Sequence, residues 1–150
     1  MTQKLQNYFP EITLADGELY AGLAISDGGH PQYHLILAKG ETYCCTWQTA
    51  DLWAKSKGLV LPTRSELYIL HANLRSYFKP SLESQFCYWS SDVGMDVATH
   101  YFHSFKEGIQ CEGLDGYGMN AFAVRRVPVQ ISTNLDKAIN ALINDSNLTN

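Results

Sequence analysis

The sequence has few charges and no run of lysine or arginine: charged residues make up 17% of the chain, and the net charge is −4. Proteins that hold nucleic acid by its phosphates cluster their cations, so we expect no nucleic-acid partner. No apolar run approaches the roughly 20 residues of a transmembrane helix. Near Met1 there is no basic segment followed by an apolar one, so the sequence predicts no secretory signal. The sequence therefore predicts a soluble protein, made in the cytoplasm, without membrane insertion.

Cysteine is present without the spacing of a disulfide framework or of a metal site. Cys44 and Cys45 are adjacent, so their side chains point to opposite faces of an extended segment. Cys87 and Cys111 stand alone, and no CxxC pair suits zinc. Without an export signal we expect all four thiols to be reduced. The sequence predicts no metal and no cofactor.

Catalytic motifs are also missing: the chain has no GxSxG elbow, Walker loop, GxGxxG turn or HExxH pair. His100 and His103 lie three residues apart in a strand-like segment, so they should face opposite sides and not share an ion. His71 lies on the apolar stripe of a predicted helix, a position typical of a core histidine. We therefore predict a protein that is not an enzyme and has no catalytic residues.

What is present indicates one folded domain. The chain has 150 residues, 45% of them hydrophobic, which is enough for one domain with a core and too few for two comfortable ones. The segments "LYAGLAI" and "YHLILA" flank "SDGGHPQ", which predicts a hairpin. The segment "KGE" predicts another turn, followed by a short strand in "TYCC".

Two helices are predicted in the middle of the chain. In "TWQTADLWAKSKG", Thr46 can cap a helix and Gly58 can stop it. Thr63 followed by Glu66 makes a capping box, so a second helix should begin at residue 64. The apolar stripe of this second helix consists of Leu67, Leu70, His71 and Leu74.

Short strands follow, which gives an α+β domain with antiparallel pairing. These strands are expected in "FCYWSS", "ATHYFHSF", "IQCEGL" and "AFAVRRVPV". We assign residues 1–130 to a single domain. Residues 131–150 predict a short amphipathic C-terminal helix and tail, which either docks on its own domain or contacts a neighbouring subunit in a homo-oligomer.

Four blocks in order carry a family resemblance: "TWQTADLWAKSKG", "LPTRSELYILHANL", "YWSSD" and "AFAVRRV". Over residues 40–128 the chain resembles the Lcl C-terminal-like domain family of bacterial adhesins and of phage and prophage proteins. The resemblance implies a C-type-lectin-like fold, with two helices flanked by a twisted, mostly antiparallel sheet. The family's scaffold positions are matched by Trp47, Trp53, Pro62, Arg64, Glu66 and Trp89.

The chain departs from the lectins of this fold that bind sugar through calcium, because it has neither an EPN-like loop nor a "WND" strand. Asp92 and Asp96 flank Gly94 and offer only two carboxylates, whereas calcium takes six to eight oxygen ligands. We therefore interpret this segment as a solvated acidic loop and not as a metal site.

Three arginines invite specific expectations. Arg64 opposes the macrodipole at the start of the second helix, so it should pair with Glu66 or donate to loop carbonyls. Arg125 and Arg126 are adjacent on a strand and point to opposite faces. We expect one of them to be packed against the domain and the other to be solvated.

The resemblance and the loops together predict a non-enzymatic recognition domain of phage or prophage type, which binds a host surface glycan or protein. Loops on a rigid scaffold often carry binding residues, and glycine with methionine, tyrosine and polar residues suits adaptable contact. The predicted ligand-binding residues are Asp92, Met95, Asp96, Asp115, Tyr117, Met119 and Asn120. The alternative is that these loops only connect strands.

Two other functions stay open. One is a phage accessory protein that binds and inhibits a soluble host protein, such as a defence protein, inside the cell. The other is a lectin-fold cysteine-dependent oxidase, which would need Cys87 and Cys111 to meet across the sheet. The chain would be made in the host cytoplasm in each case, and would be virion-associated or cytoplasmic.

Overall fold

The computed structural model of the protein describes residues 12–25, 29, 31–78 and 86–129. Within these ranges the chain forms six strands and two helices, so the predicted α+β class is confirmed. In chain order they are β1 Leu19–Ile25, β2 Pro31–Cys45, α1 Trp47–Ser56, α2 Arg64–Leu74, β3 Cys87–Val93, β4 Thr99–Ser104, β5 Ile109–Leu114 and β6 Met119–Pro128. The predicted C-terminal helix and its role in oligomerisation lie outside the described residues. In the part of the chain that is described, no helix is long and apolar enough to cross a membrane.

The six strands form one sheet in the order β1-β2-β6-β3-β4-β5. Neighbouring strands are antiparallel except β3 and β6, which run parallel and are in register at Tyr88 and Asn120. The sheet therefore consists of two antiparallel halves that meet at one parallel seam. The last strand, β6, reaches back to pair with β2 near the start of the domain.

Strand β2 corrects one sequence-based expectation, because "KGE" does not reverse the chain. Between Leu37 and Glu41, four residues of β2 span the interval that two residues span on β6. Gly40 takes a φ of +90°, which suits an irregular strand residue without a Cβ. The predicted turn is thus a bulge that bends a single 15-residue strand.

The helices begin where local capping chemistry predicted. The Thr46 hydroxyl accepts the backbone N–H of Thr49 at 3.3 Å at the start of α1. At α2 both halves of the capping box form: Glu66 N–H donates to Thr63 Oγ1 at 3.2 Å, and Thr63 N–H donates to the Glu66 carboxylate at 2.7 Å. Helix α2 begins at Arg64, as the sequence predicted.

Two apolar clusters cover the two faces of the sheet. Strand β6 shows the division, because Phe122 packs in the cluster beneath α2 while Ala121 and Ala123 pack in the cluster beneath α1. Neighbouring strand residues point to opposite faces, so α1 and α2 lie on opposite sides. Beneath α1 the indole of Trp89 is fully buried and donates to the carbonyl of Cys45 at 3.0 Å.

Candidate functional site

Two loops meet at one end of the sheet. The β3–β4 loop (residues 94–98) and the β5–β6 loop (residues 115–118) are joined by a hydrogen bond from Asp115 N–H to the carbonyl of Ala98, at 2.9 Å. We call the exposed side chains of these loops and their flanking strand ends the loop surface. It consists of Val93, Met95, Asp96, Val97, Leu114 and Tyr117.

The loop surface is mostly apolar and faces solvent. Its exposed fractions are 69% at Val93, 86% at Met95, 93% at Val97, 49% at Leu114 and 54% at Tyr117. Single exposed apolar residues are ordinary, but neighbouring ones on one surface mark interaction sites. The arrangement can therefore bury apolar area against a partner.

The β3–β4 loop is held by one carboxylate. Glu112 on β5 accepts the backbone N–H of Asp96 at 2.8 Å and also accepts the hydroxyl of Thr99. These donors, the Thr99 hydroxyl first, lower the pKa of Glu112. A Cβ on Gly94 would collide with both Thr99 and Glu112. Glycine at this position therefore lets the carboxylate reach across the loop.

Asp115 is buried and ties the second loop to helix α1. Its Oδ1 accepts the Nδ1–H of His100 at 2.6 Å, and its carbonyl accepts the backbone N–H of Trp47 at 3.0 Å. The Trp47 ring stacks on His100 with centroids 3.6 Å apart and an interplanar angle of 14°. Asp115 therefore acts as a strut between two loops and a helix, with little surface left for a ligand.

The seven predicted contact residues divide into two groups. Asp92 accepts the backbone N–H of Arg64 at 2.5 Å and so caps α2. Asn120 is buried and accepts the backbone N–H of Cys44 at 3.2 Å. Met119 packs against the cluster beneath α1. With Asp115, these side chains are engaged in the fold, whereas the loop surface brings together Met95, Asp96 and Tyr117.

The histidines and acids do not gather into a metal site within the described ranges, where no group of three or more His, Cys, Asp and Glu side chains could hold an ion. The four cysteines are free. Burial raises the pKa of the Cys87 thiol, which lowers the fraction of reactive thiolate at neutral pH.

The contacts that offset the unfavourable position of Arg64 at the start of α2 differ from those predicted from the sequence. Among the described residues Arg64 pairs with neither Glu66 nor a loop carbonyl. Its Nε donates to the side-chain oxygen of Gln110 at 2.9 Å, and its guanidinium lies 3.8 Å from the ring centroid of Tyr101. Glu66 is unavailable because its carboxylate is turned inward toward the sheet. The expected Arg64–Glu66 pair was wrong.

Arg125 is half-buried and Arg126 is exposed to solvent, yet both are paired with a carboxylate. Arg125 donates to both oxygens of Glu18 at 2.7 Å. Arg126 donates to Glu66 through Nε at 2.6 Å and Nη2 at 2.9 Å. Burial alone would raise the pKa of Glu66, but the bonds from Arg126, from the Thr63 N–H and from Tyr33 outweigh it and hold the pKa below its usual value.

Sequence reasoning missed a histidine pair between α2 and β4. Nδ1 of His71 lies 2.8 Å from Nε2 of His103, and the ring of Tyr68 stands edge-on to His103 at 5.0 Å. Burial, with the nearby His71, lowers the pKa of His103 to about 4. The two partners are 32 residues apart in the sequence, so no local pattern predicts the pair. The prediction that His100 and His103 face opposite sides is confirmed, because the two side chains contact different residues.

The chain matches no protein-family model, and no curated protein matches its sequence. The resemblance of residues 40–128 to the Lcl C-terminal-like domain family therefore stays a prediction from four sequence blocks. No family is assigned to the chain on other grounds.

Proposed function

We propose that the protein is a non-enzymatic recognition domain of phage or prophage type, which binds a host surface protein through the loop surface. The observation that carries the proposal is the exposure of Val93, at the end of β3, and of Met95 and Val97 on the loop that follows. Burying apolar area is favourable by about 25 cal/mol per Å², so a partner that covers these side chains gains affinity.

The composition of the loop surface favours a protein over a glycan. A glycan presents hydroxyl groups, which lose hydration against aliphatic side chains without gaining hydrogen bonds. Val93, Val97 and Leu114 are aliphatic and offer no side-chain donor or acceptor. Met95 and Tyr117 belong to the residue types enriched in the centres of protein interfaces.

The hydrogen bonds between Glu112 and the β3–β4 loop also support the proposal. Ordering a mobile loop costs free energy when a complex forms, and bonds to Asp96 and Thr99 order this loop in advance. A carboxylate that fixes backbone in this way contributes to affinity without touching the partner.

The test is binding of the purified protein to intact cells of a bacterial host, to their envelope proteins and to their soluble proteins, run in parallel. We expect retention by cells and envelope protein, and at least a tenfold loss for Val97→Asp, since a charge at the centre of an apolar contact costs well over 1.4 kcal/mol. The matched control is Leu52→Asp, which places the same charge on an exposed leucine of α1 (68% exposed).

Equal binding by Val97→Asp and the wild type would overturn the role of the loop surface. Retention on purified envelope polysaccharide, lost in Val97→Asp, would overturn the choice of protein over glycan. Capture of a single soluble protein that Val97→Asp fails to capture would replace the surface ligand with an intracellular target, as an inhibitory accessory protein requires.

A further inference from the structure

A cavity of about 510 Å³ opens beside the bulge of β2, far along the chain from the loop surface. Its volume falls in the range of roughly 300–1,000 Å³ typical of small-molecule sites. We call it the aromatic cavity, because most of its larger lining side chains are rings. Those that carry the argument are Tyr43, Tyr77, Phe78, Tyr88 and Phe122, together with Glu41.

Glu41 is the acidic group of the aromatic cavity, and its carboxylate is oriented by two tyrosines. Oε1 accepts the hydroxyl of Tyr43 at 2.6 Å, and Oε2 accepts the hydroxyl of Tyr88 at 2.9 Å. Each oxygen keeps a further lone pair. The bulge at Gly40 sets where this residue lies on β2, so the strand irregularity and the carboxylate belong to one feature.

No lysine, arginine or histidine is found among the described residues that line the aromatic cavity. The adjacent Lys39 is engaged elsewhere, with its Nζ 2.7 Å from Asp16. The carboxylates of Glu18 and Glu66 each pair with an arginine, whereas Glu41 meets two neutral hydroxyls. Burial and the charge of Glu41 raise the pKa of Tyr88.

The rings add a second attraction for positive charge. Tyr88 and Phe122 stack on each other and are buried, whereas the lining rings of Tyr43 and Tyr77 are 63% and 57% exposed. The face of an aromatic ring is negative and attracts ammonium groups within about 6 Å. A weakly hydrated cation gains most, because it loses little water on entering a site walled by rings.

We propose that the aromatic cavity binds a small organic cation that carries a quaternary ammonium group. The cation lies against the exposed rings of Tyr43 and Tyr77, with Glu41 as its counter-charge. The methylated nitrogen needs no hydrogen bond, which suits a carboxylate whose oxygens already accept two tyrosine hydroxyls. This site is independent of the proposed recognition of a host protein.

The test is an NMR titration of the ¹⁵N-labelled full chain with choline and with 3,3-dimethylbutan-1-ol, which has the same shape without the charge. We expect choline to shift the amides around Glu41 and Tyr88 with a Kd on the order of 1 mM. The neutral analogue should bind at least tenfold more weakly. Equal binding of the two compounds, or no shifts up to about 20 mM choline, would overturn the proposal.

Variants test whether Glu41 is the counter-charge of the bound cation. Glu41→Gln keeps the shape and removes the charge, so choline should bind about tenfold more weakly, while Glu107→Gln, at an exposed acid elsewhere, should bind as the wild type. Unchanged affinity in Glu41→Gln would overturn the role assigned to the carboxylate. If Glu41→Gln fails to fold, Tyr43→Ala removes one ring and one orienting hydroxyl at a side chain 63% exposed, and it should weaken choline binding several-fold.

The result is separable from the proposed function. Val97→Asp alters the loop surface only, and it should bind choline as the wild type does. Loss of choline binding in Val97→Asp, with the fold intact, would show that the shifts do not report the aromatic cavity.

Discussion

Around Glu66 the protein buries charge, whereas at the loop surface it exposes apolar side chains. Both oxygens of Glu66 are doubly used: Oε1 accepts from Tyr33 and Arg126, and Oε2 accepts from Thr63 and Arg126. We call these four residues the Glu66 network. At the loop surface, in contrast, nothing in the described part of the chain covers Val97. The buried charge is compensated inside the fold, and the exposed apolar side chains are the ones that we propose a partner covers.

This difference separates scaffold from site. A buried carboxylate that keeps every lone pair occupied is stable only if its partners stay in place, so the Glu66 network fixes β6 against α2. Exposed aliphatic side chains contribute little to folding. Substitutions in the two regions should therefore affect different measurements, stability in one and binding in the other.

The largest effect is expected for Glu66→Ala, which breaks the whole Glu66 network at once. Arg126 and Tyr33 lose their partner, and we expect the free energy of unfolding in urea to fall by roughly 3 kcal/mol, reduced from the fully buried case because Arg126 is 35% exposed and can regain water. Asp16→Ala, which breaks an exposed pair with Lys39, is the control and should not move the midpoint. A loss under about 1 kcal/mol for Glu66→Ala would make the network no better than a surface pair.

The next effect contrasts two residues of one loop. Asp115→Ala removes the side-chain acceptor of the buried His100 but keeps the backbone carbonyl that accepts from Trp47, and we expect a loss of about 2 kcal/mol in urea unfolding. Tyr117→Ala should stay within about 0.5 kcal/mol of the wild type and weaken binding to the host protein. The reverse result, a stable Asp115→Ala and an unstable Tyr117→Ala, would exchange the roles of strut and contact residue.

The histidine pair should make the stability of the protein fall at acidic pH. The pKa of His103 is about 4 in the folded protein and 6.5 as the ordinary value, so between these pH values the unfolded chain takes up a proton that the native state refuses. The stability that neutral His103 contributes is fully present above about pH 6.5. It is lost as the pH falls toward 4, and the loss is about 1–2 kcal/mol at pH 5. His103→Leu should therefore show a shallower fall of Tm from pH 7 to pH 5 than the wild type. Parallel curves would contradict the buried, neutral His103.

A modest loss of stability, about 1 kcal/mol, is expected for Gly94→Ala, because a Cβ there pushes against Thr99 and Glu112. The loop should loosen, so the Asp96 amide should exchange its hydrogen faster and the host protein should bind more weakly although no contact residue has changed. Gly116→Ala in the other loop is the matched control, since its Cβ meets nothing within 4 Å. Unaltered exchange in Gly94→Ala would mean that Glu112 does not order the loop.

The elements of the fold were predictable because their signals are local. Thr63 and Glu66 are three residues apart and place the start of α2 by themselves. The period-2 alternation of β6 likewise assigns Phe122 and Ala123 to opposite faces. The turn assigned to "KGE" failed because a glycine between charged residues looks alike in a turn and in a bulge, and only the pairing of β2 with β6 distinguishes them.

The site was predictable only in outline. Two glycine-containing loops were identified, but Asp115 and Asn120 were taken as exposed because burial at a strand end depends on the neighbouring strand. For the same reason, pairs of residues distant in sequence could not be predicted. Glu66 and Arg126, which are 60 residues apart, are an example. The signal for the loop surface was present in Val93, Met95 and Val97, three apolar residues that alternate with Gly94 and Asp96.

The bulge in β2 matters before the fold is complete. Strand β2 lies between β1 and β6. Met119, where β6 begins, is 74 residues after Cys45, and the ribosome takes roughly 4–15 s to reach it at typical rates of translation. During that interval one edge of β2 is an open template to which another chain can pair. A bulge flanked by the charges of Lys39 and Glu41 is the kind of feature that blocks such pairing. We therefore expect the irregularity that shapes the aromatic cavity in the finished protein to disfavour pairing of the nascent β2 with other chains as well.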